Sequence, residues 1–321
     1  MEKQKNEVVL SASRVKTLET CSWTYWCTYH LKIPQKENSG AMRGTICHLI
    51  FECLLKQRHK KHFTKIMKRG GVDGSPAVKR LILKHCKKKN LTEEDLTMIN
   101  DMVWTGLNQD FYCKGSKLGD AELEFLIENE QPKYKIKGFI DKNAFYGKDN
   151  LFKIIDYKSS KSKFKGEELT ANFQAMTYSL AAFKKIIPSA KRVITQFIFL
   201  RFPKSSVQEV EIPRDQITGF EHYLSYAFSK ANSFNESDAK SNFAANKDES
   251  RWLCKAGKTW RCPYLDPFDY YHLIDSNGKI IESSLENKFS PKDGQSVKKL
   301  TYSGCPAHAN KSEASSDFDD F

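Results

Sequence analysis

The chain has no apolar run of the ~18–20 residues that a membrane-crossing helix needs. It has no Gly-rich loop ending in Gly-Lys-Ser/Thr, the phosphate cradle of nucleotide-driven motors, and no internal repeat period. Its start, Met1-Glu2-Lys3-Gln4-Lys5, lacks the apolar core of a secretory signal. These absences lead us to expect a soluble cytoplasmic protein that neither spans a membrane nor unwinds duplexes by itself. In that compartment the nine cysteines are expected as reduced thiols or metal ligands, not disulfides. Acid is also in short supply: 39 Asp and Glu face 52 Lys and Arg, a net charge of +13. An excess of this size suits a polyanionic partner, either nucleic acid or an anionic membrane surface.

The imbalance is concentrated in one stretch. Between Lys56 and Lys89 there are 13 Lys or Arg residues and a single acid, Asp73. Two basic blocks, 56–69 and 79–89, flank a break at Gly70, Gly71, Gly74 and Pro76. A solvated helical face would show the same charge run. The chemistry of the neighbouring residues is what favours nucleic acid.

The patterning predicts helices first. An N-terminal helix, capped by Ser11 or Ser13, runs through Cys21 into Trp23, Tyr25, Trp26 and Tyr29. A second spans 41–55 with Ile46, Leu49, Ile50 and Cys53 on its apolar stripe. The basic stretch is helical in two pieces, and another helix opens at Thr92-Glu93-Glu94-Asp95. From about Gly119 the pattern changes to strands at 121–128, 134–145 and 151–157. A helix over 167–187 follows, then strands at 192–202 and 207–212 and a helix over 213–233. Beyond Phe234 no regular pattern stands out, and the chain ends in a Ser/Asp/Phe tail expected to be disordered.

Two segments carry chemistry. Lys137-Gly138-Phe139-Ile140-Asp141 and Lys153-Ile154-Ile155-Asp156-Tyr157-Lys158 are apolar strands that each end in a carboxylate. A turn between them fits an antiparallel hairpin that sets Asp141 beside Asp156. Two adjacent carboxylates are costly unless they share a cation, and oxygen ligands suit Mg²⁺ or Mn²⁺. Lys158 leaves the strand on the same face as Asp156, where an amine can orient water and offset phosphate charge. Asp-Xaa-Lys alone occurs on many strands without function.

The ordered set resembles the PD-(D/E)XK nuclease superfamily, and within it the RecB-like branch of CRISPR-associated and phage recombination exonucleases. The resemblance covers roughly residues 10 to 265. It rests on the paired strands, on Gly44-Thr45-Ile46-Cys47-His48, on Gln174-Ala175-Met176-Thr177-Tyr178, and on Cys21 beside aromatic residues. It implies a restriction-endonuclease-like α/β/α sandwich with a central mixed sheet, an inserted basic helical lobe and a cysteine-containing C-terminal region. It also implies that Asp141, Asp156, His48 and the Tyr157 carbonyl hold a divalent metal. Lys158 would position water, while Gln174 and Tyr178, one turn apart, would steady Lys158 or the phosphate. A histidine ligand favours Mn²⁺ over Mg²⁺. Glu122, Glu124 and Glu52 are weaker acidic candidates and are left outside the expected site.

Several members of the branch bind a [4Fe–4S] cluster through one N-terminal and three C-terminal cysteines. Cys21, Cys254 and Cys262 match three of these. The expected last cysteine is replaced by Pro267-Phe268, so Cys305 or Cys27 is needed as a substitute. Zinc or free thiols are the alternatives. Cys47, Cys53, Cys86 and Cys113 read as packing residues.

The expected organisation is N-terminal helices at 1–55, a basic lobe at 56–119, a nuclease core at 120–235, a cysteine region at 236–310 and a tail at 311–321. The expected function is metal-dependent DNA exonuclease action in recombination, repair, replication or DNA degradation, in a bacterial cytoplasm or that of a phage host. A flap or branch endonuclease and a non-catalytic DNA-binding adaptor are the alternatives. The tip Asp317-Phe318-Asp319-Asp320-Phe321 resembles partner-docking tips of single-stranded-DNA-binding proteins, which implies a helicase or recombination partner.

Overall fold

The computed structural model describes residues 7–35, 38–254 and 261–308. The tail from 311 onward, with its acidic-aromatic tip, lies outside the described residues. Two compact units are present: Val9–Ala12 with Glu37–Phe228, and a smaller one of Met1–Val8, Ser13–Lys36 and Ser229–Phe321. No helix among the described residues is long and apolar enough to cross a membrane.

The chain opens with α1 (Ala12–Thr20) and α2 (Ser22–Tyr25). The single N-terminal helix expected here is interrupted at Cys21, whose backbone is extended. In the larger unit α3 (Ser39–Leu55) starts at Asn38, whose side chain accepts from the Ala41 N–H. The basic stretch forms α4 (Lys60–Arg69) and α5 (Pro76–Lys88). Gly70 ends α4 at φ +80°, a left-handed stop that glycine adopts without penalty. Ser75 and Pro76 then restart the helix, the serine oxygen accepting from the Val78 N–H. Next comes α6 (Glu93–Leu107), held at its start by a capping box between Thr92 and Asp95. Asp95 also pairs with Arg43 of α3, and both are buried.

These helices share one apolar core. Ile46, Ile50 and Phe51 of α3 pack with Ile66, Ile82, Ile99 and Val103 from the three helices that follow. The lysines of α4 and α5 therefore project from helices that the core holds firmly.

The strands are β1 (Lys117–Leu118), β2 (Leu123–Glu130), β3 (Lys133–Ile140), β4 (Lys142–Tyr146) and β5 (Leu151–Lys158). After them come α7 (Glu167–Thr170), α8 (Phe173–Ala181), β6 (Arg192–Phe199), β7 (Val207–Glu211) and α9 (Arg214–Ser233). The central sheet has the order β1-β4-β5-β6-β7, with β5 and β6 parallel and the other pairs antiparallel. Along β5, Ile155 and Tyr157 face the core shared with α3 and α6, and Tyr157 stacks 4.2 Å from Phe51. Asp156 faces α8 on the other side. The larger unit is thus the α/β/α sandwich with a mixed sheet that the sequence led us to expect.

Two expected elements are divided. The strand expected over 134–145 splits at Asp141: β3 pairs with β2 in a separate two-stranded ribbon, while β4 pairs with β5. The helix expected over 167–187 breaks at 171–172, where the Asn172 side chain caps a fresh start. In the smaller unit α10 (Glu236–Ala239) precedes a sheet of β8 (Phe268–Asp275), β9 (Ile280–Ser284) and β10 (Gln295–Tyr302), where no pattern was recognised. Its core gathers Cys27, Ile33, Tyr264, Tyr270 and Tyr302.

The β2–β3 ribbon is seated by one close approach. Gly138 lies under the buried ring of Phe125, and a Cβ there would stand 2.6 Å from its Cζ. Phe125 in turn meets Tyr178 of α8 edge-on at 6.3 Å. Gly138→Ala must displace that ring, and we expect a loss of about 1–3 kcal/mol in urea denaturation with an unchanged m-value. A stability equal to wild type would mean that the ring has room to turn aside.

Candidate active site

The site grows from the fork at Asp141. In the β4–β5 ladder Lys142 stands opposite Ile155, so Asp141 falls opposite Asp156 just where the pairing ends. Here the chain turns away into the ribbon, and the Asp141 side chain takes over from the missing strand. Its Oδ2 accepts the Tyr157 N–H at 2.8 Å. Lys142, only 1% exposed, anchors the other side of the bend. Its ammonium donates to the Phe111 carbonyl at 3.0 Å and lies over the rings of Phe111 and Tyr157. Burial pushes its pKa down.

α3 brings in the imidazole. A Cβ on Gly44 would come within 2.7 Å of Ser159 Oγ, so the missing side chain lets the helix lie close to the residue after Lys158. One turn later His48 Nε2 stands 3.0 Å from the Tyr157 carbonyl. A carbonyl only accepts, so this nitrogen carries the proton. Nδ1 then faces Asp141 at 3.4 Å and Glu122 at 3.9 Å.

Glu122 is the residue that the sequence reading left out. Its backbone is left-handed, at φ +50°, and its N–H donates to the Asp141 carbonyl at 3.1 Å. That conformation is uncommon away from glycine and aims the carboxylate at His48. The sequence offered Glu122 and Glu124 alike, as acids just before Asp141 where the resembled family often carries one. Glu124 stands instead in the exposed row of the ribbon, and Glu52 pairs with Lys56 at 2.7 Å.

The structure brings ligand atoms of His48, Glu122 and Asp141 within 4.8 Å of one another. The Asp156 carboxylate lies in an adjoining network. Its Oδ1 accepts from Gln174 Nε2 and from the Tyr178 hydroxyl, both at 2.9 Å. Gln174 also donates to that hydroxyl at 2.5 Å, while its Oε1 accepts from Lys158 at 2.6 Å. Lys158 also pairs with the buried Asp156 Oδ2 at 2.7 Å. Gln174 and Tyr178 thus hold both partners of the Asp-Xaa-Lys pair.

The electrostatics follow from the crowding of acids around one imidazole. Burial, and then the neighbouring Asp156, push the Asp141 carboxyl up. Burial opposes charge on His48, yet Asp141 and Glu122, with Asp156 behind, outweigh it and raise the imidazole to about 10. The clustered acids therefore draw a proton onto His48. Hard oxygen donors from Glu122 and Asp141 with one imidazole, their ligand atoms all within 4.8 Å of one another, fit a divalent cation such as Mn²⁺ or Mg²⁺. We expect Glu122→Gln to weaken Mn²⁺ binding in calorimetry by roughly 10–100-fold, as when partners of metal ligands are lost. An unchanged affinity would remove Glu122 from the ligand set.

In the smaller unit Cys21, Cys254, Cys262 and Cys305 line one cavity of about 330 Å³, together with Trp23 and Phe243. Cys27 is buried in the adjacent core and does not line it. Burial pushes the Cys254 and Cys262 thiols up, and Cys305 to about 11. Among the described residues no three of these sulfurs come within 4.8 Å of one another. Tetrahedral zinc with 2.3 Å bonds would draw them to about 3.8 Å. The thiols thus share one cavity without standing at the spacing of a tetrahedral zinc site.

The family model of the PD-(D/E)XK nuclease superfamily matches residues 9–266. No curated protein matches the chain. Among solved structures, the crystal structure of SSO0001 is similar at 17% identity, covering 63% of this chain and 91% of its own, with a TM-score of 0.25. With four-fifths of its length under the family model, the chain belongs to the PD-(D/E)XK nuclease superfamily.

Proposed function

We propose that this superfamily member is a divalent-metal-dependent DNA exonuclease of the RecB-like branch, serving recombination, repair, replication or DNA degradation in the cytoplasm. The observation that carries the reading is the meeting of His48, Glu122 and Asp141 beside the Asp156–Lys158 pair. His48, Glu122, Asp141 and Asp156, with the Tyr157 carbonyl, are the groups that hold Mg²⁺ or Mn²⁺. When bound, the ion supplies positive charge beside the scissile phosphate and makes water more acidic.

Lys158 is the catalytic amine, orienting the attacking water and offsetting charge that develops on the phosphate. Gln174 is its positioning residue, since the same amide accepts from Lys158 and donates to Asp156. Tyr178 fixes the far side of that amide. The lysines of α4 and α5 supply a basic wall for the DNA backbone, whose hold weakens as salt rises. Without a motor loop the chain depends on a free end or a separate helicase for access. The acidic-aromatic tip, outside the described residues, is proposed as the docking point for such a partner.

The test uses end-labelled single- and double-stranded DNA and a covalently closed circle, with Mg²⁺, Mn²⁺ or EDTA. We expect linear DNA to be degraded and the circle spared. Lys158→Ala should slow cleavage by about 10²–10³-fold or more, Asp156→Ala and EDTA should abolish it, and DNA binding should persist. Cleavage by Asp156→Ala at the wild-type rate would end the metal-nuclease reading. A cut circle would leave the nuclease and replace the exonuclease with an endonuclease.

We also propose that Cys21, Cys254, Cys262 and Cys305 hold a [4Fe–4S] cluster. Anaerobically purified protein should contain iron and sulfide with a broad visible absorbance, all lost in Cys254→Ser. Zinc instead of iron, or no metal with Cys254→Ser as stable as wild type, would refute the cluster.

A further inference from the structure

The β2–β3 ribbon has two unlike faces. Tyr134, Ile136 and Ile140 of β3 and Phe125 and Ile127 of β2 are buried. The opposite face carries cross-strand pairs in strict register: Glu130 with Lys133, Glu128 with Lys135, Leu126 with Lys137, and Glu124 with Phe139. Two of these four pairs break the expected match of charge with charge. Phe139 is 48% exposed and Leu126 is 37% exposed, diagonal neighbours that form one apolar patch. Lys137 stands opposite Leu126 instead of an acid, whereas Lys135 is paired with Glu128 at 2.5 Å.

The patch is continuous with the carboxylate site. The ladder that pairs Glu124 with Phe139 runs on through Leu123 and Ile140 to the Glu122 N–H, which donates to the Asp141 carbonyl. Phe139 is two residues before Asp141 and Glu124 two after Glu122, a separation of about 7 Å along the strand. An exposed phenyl ring next to an uncommitted ammonium, one step from acids suited to a metal and a phosphate, matches what a nucleotide presents. The ring offers a face for a base and the amine a partner for the next phosphate. In a duplex each base is already stacked on its neighbours and paired, so its face is not available to a side chain. Such a platform serves an unpaired strand.

Resting on the nuclease reading, we propose that Phe139 is a stacking platform for an unpaired base of the nucleotide next to the scissile phosphate. Lys137 engages the adjoining phosphate. The substrate that enters the site is thus a single strand or a frayed end. This assignment concerns substrate binding, and Phe139 takes no part in the chemistry.

Binding is measured by fluorescence anisotropy with a labelled oligothymidylate and with an abasic strand of the same length. Both Phe139 and Phe139→Ala are compared in the Asp156→Ala background with Mg²⁺ present, so that cleavage does not intervene. We expect Phe139→Ala to weaken oligothymidylate binding roughly 5- to 150-fold, the range for one stacked base, and to leave abasic binding unchanged. Phe139→Trp should retain affinity and lose tryptophan fluorescence when oligothymidylate is added. In the otherwise wild-type enzyme, Phe139→Ala should raise KM for single strands with little change in kcat.

Equal binding of oligothymidylate by both proteins would overturn the platform, as would the same loss on the abasic strand. A change in oligomeric state on Phe139→Ala would also overturn it, by assigning the patch to a second copy of the chain. If wild type cleaves nothing with any metal while the base-dependent binding loss is seen, the nuclease reading fails and the platform stands.

Discussion

One hydrogen bond organises the larger unit: the Tyr157 N–H donating to the Asp141 carboxylate. A sheet that divides between two partners leaves backbone groups without a ladder, and a buried N–H left unpaired costs about 1–3 kcal/mol. Asp141 removes that cost with its side chain at the position where β4 would have continued. The same bond fixes its carboxylate opposite Asp156, turns the chain into the ribbon and leaves the Tyr157 carbonyl to His48. Closing the fork and building the site are therefore one event. A substitution at Asp141 takes a carboxylate from the candidate site and reopens an edge of the sheet together.

Around this fork, each charged side chain drawn into the interior meets a polar or aromatic partner on a further element. Arg43 meets Asp95 at the start of α6, Lys158 meets Asp156 under the Gln174 amide, and Lys142 finds the Phe111 carbonyl and two aromatic faces. Pairing of this kind offsets the desolvation that would otherwise expel such groups from an interior. The cluster of His48, Glu122 and Asp141 is the exception, since its acids exceed its fixed cations and raise the imidazole pKa.

Much of this was legible because the informative signals are short. Gly44 and His48 lie one helical turn apart, as do Gln174 and Tyr178, and Asp156 and Lys158 alternate on one strand. Each relation depends only on the local period of its element. What could not be read depended on partners distant in sequence. The apolar alternation from 134 to 145 looks like one strand because alternation carries no information on which neighbour a strand pairs with. Glu122 was indistinguishable from Glu124 until a left-handed residue turned it toward the imidazole. Lys142 reads as a surface residue from composition alone, and its burial follows from the bend beside it. Strand β10, Gln-Ser-Val-Lys-Lys-Leu-Thr-Tyr, went unrecognised because few of its positions are apolar and its unit has a small core.

The route of the chain through its two units sets an order of assembly. Every residue of the candidate site and its supporting network lies between Gly44 and Tyr178, within the unit that ends at Phe228. The smaller unit takes residues 13–36 from before that segment and closes only with Ser229 onward. On a ribosome, where segments fold as they emerge, the α/β/α sandwich has all its strands before the cysteine-lined cavity has three of its four thiols. The α1–α2 segment must wait for the residues from Ser229 onward to complete its unit.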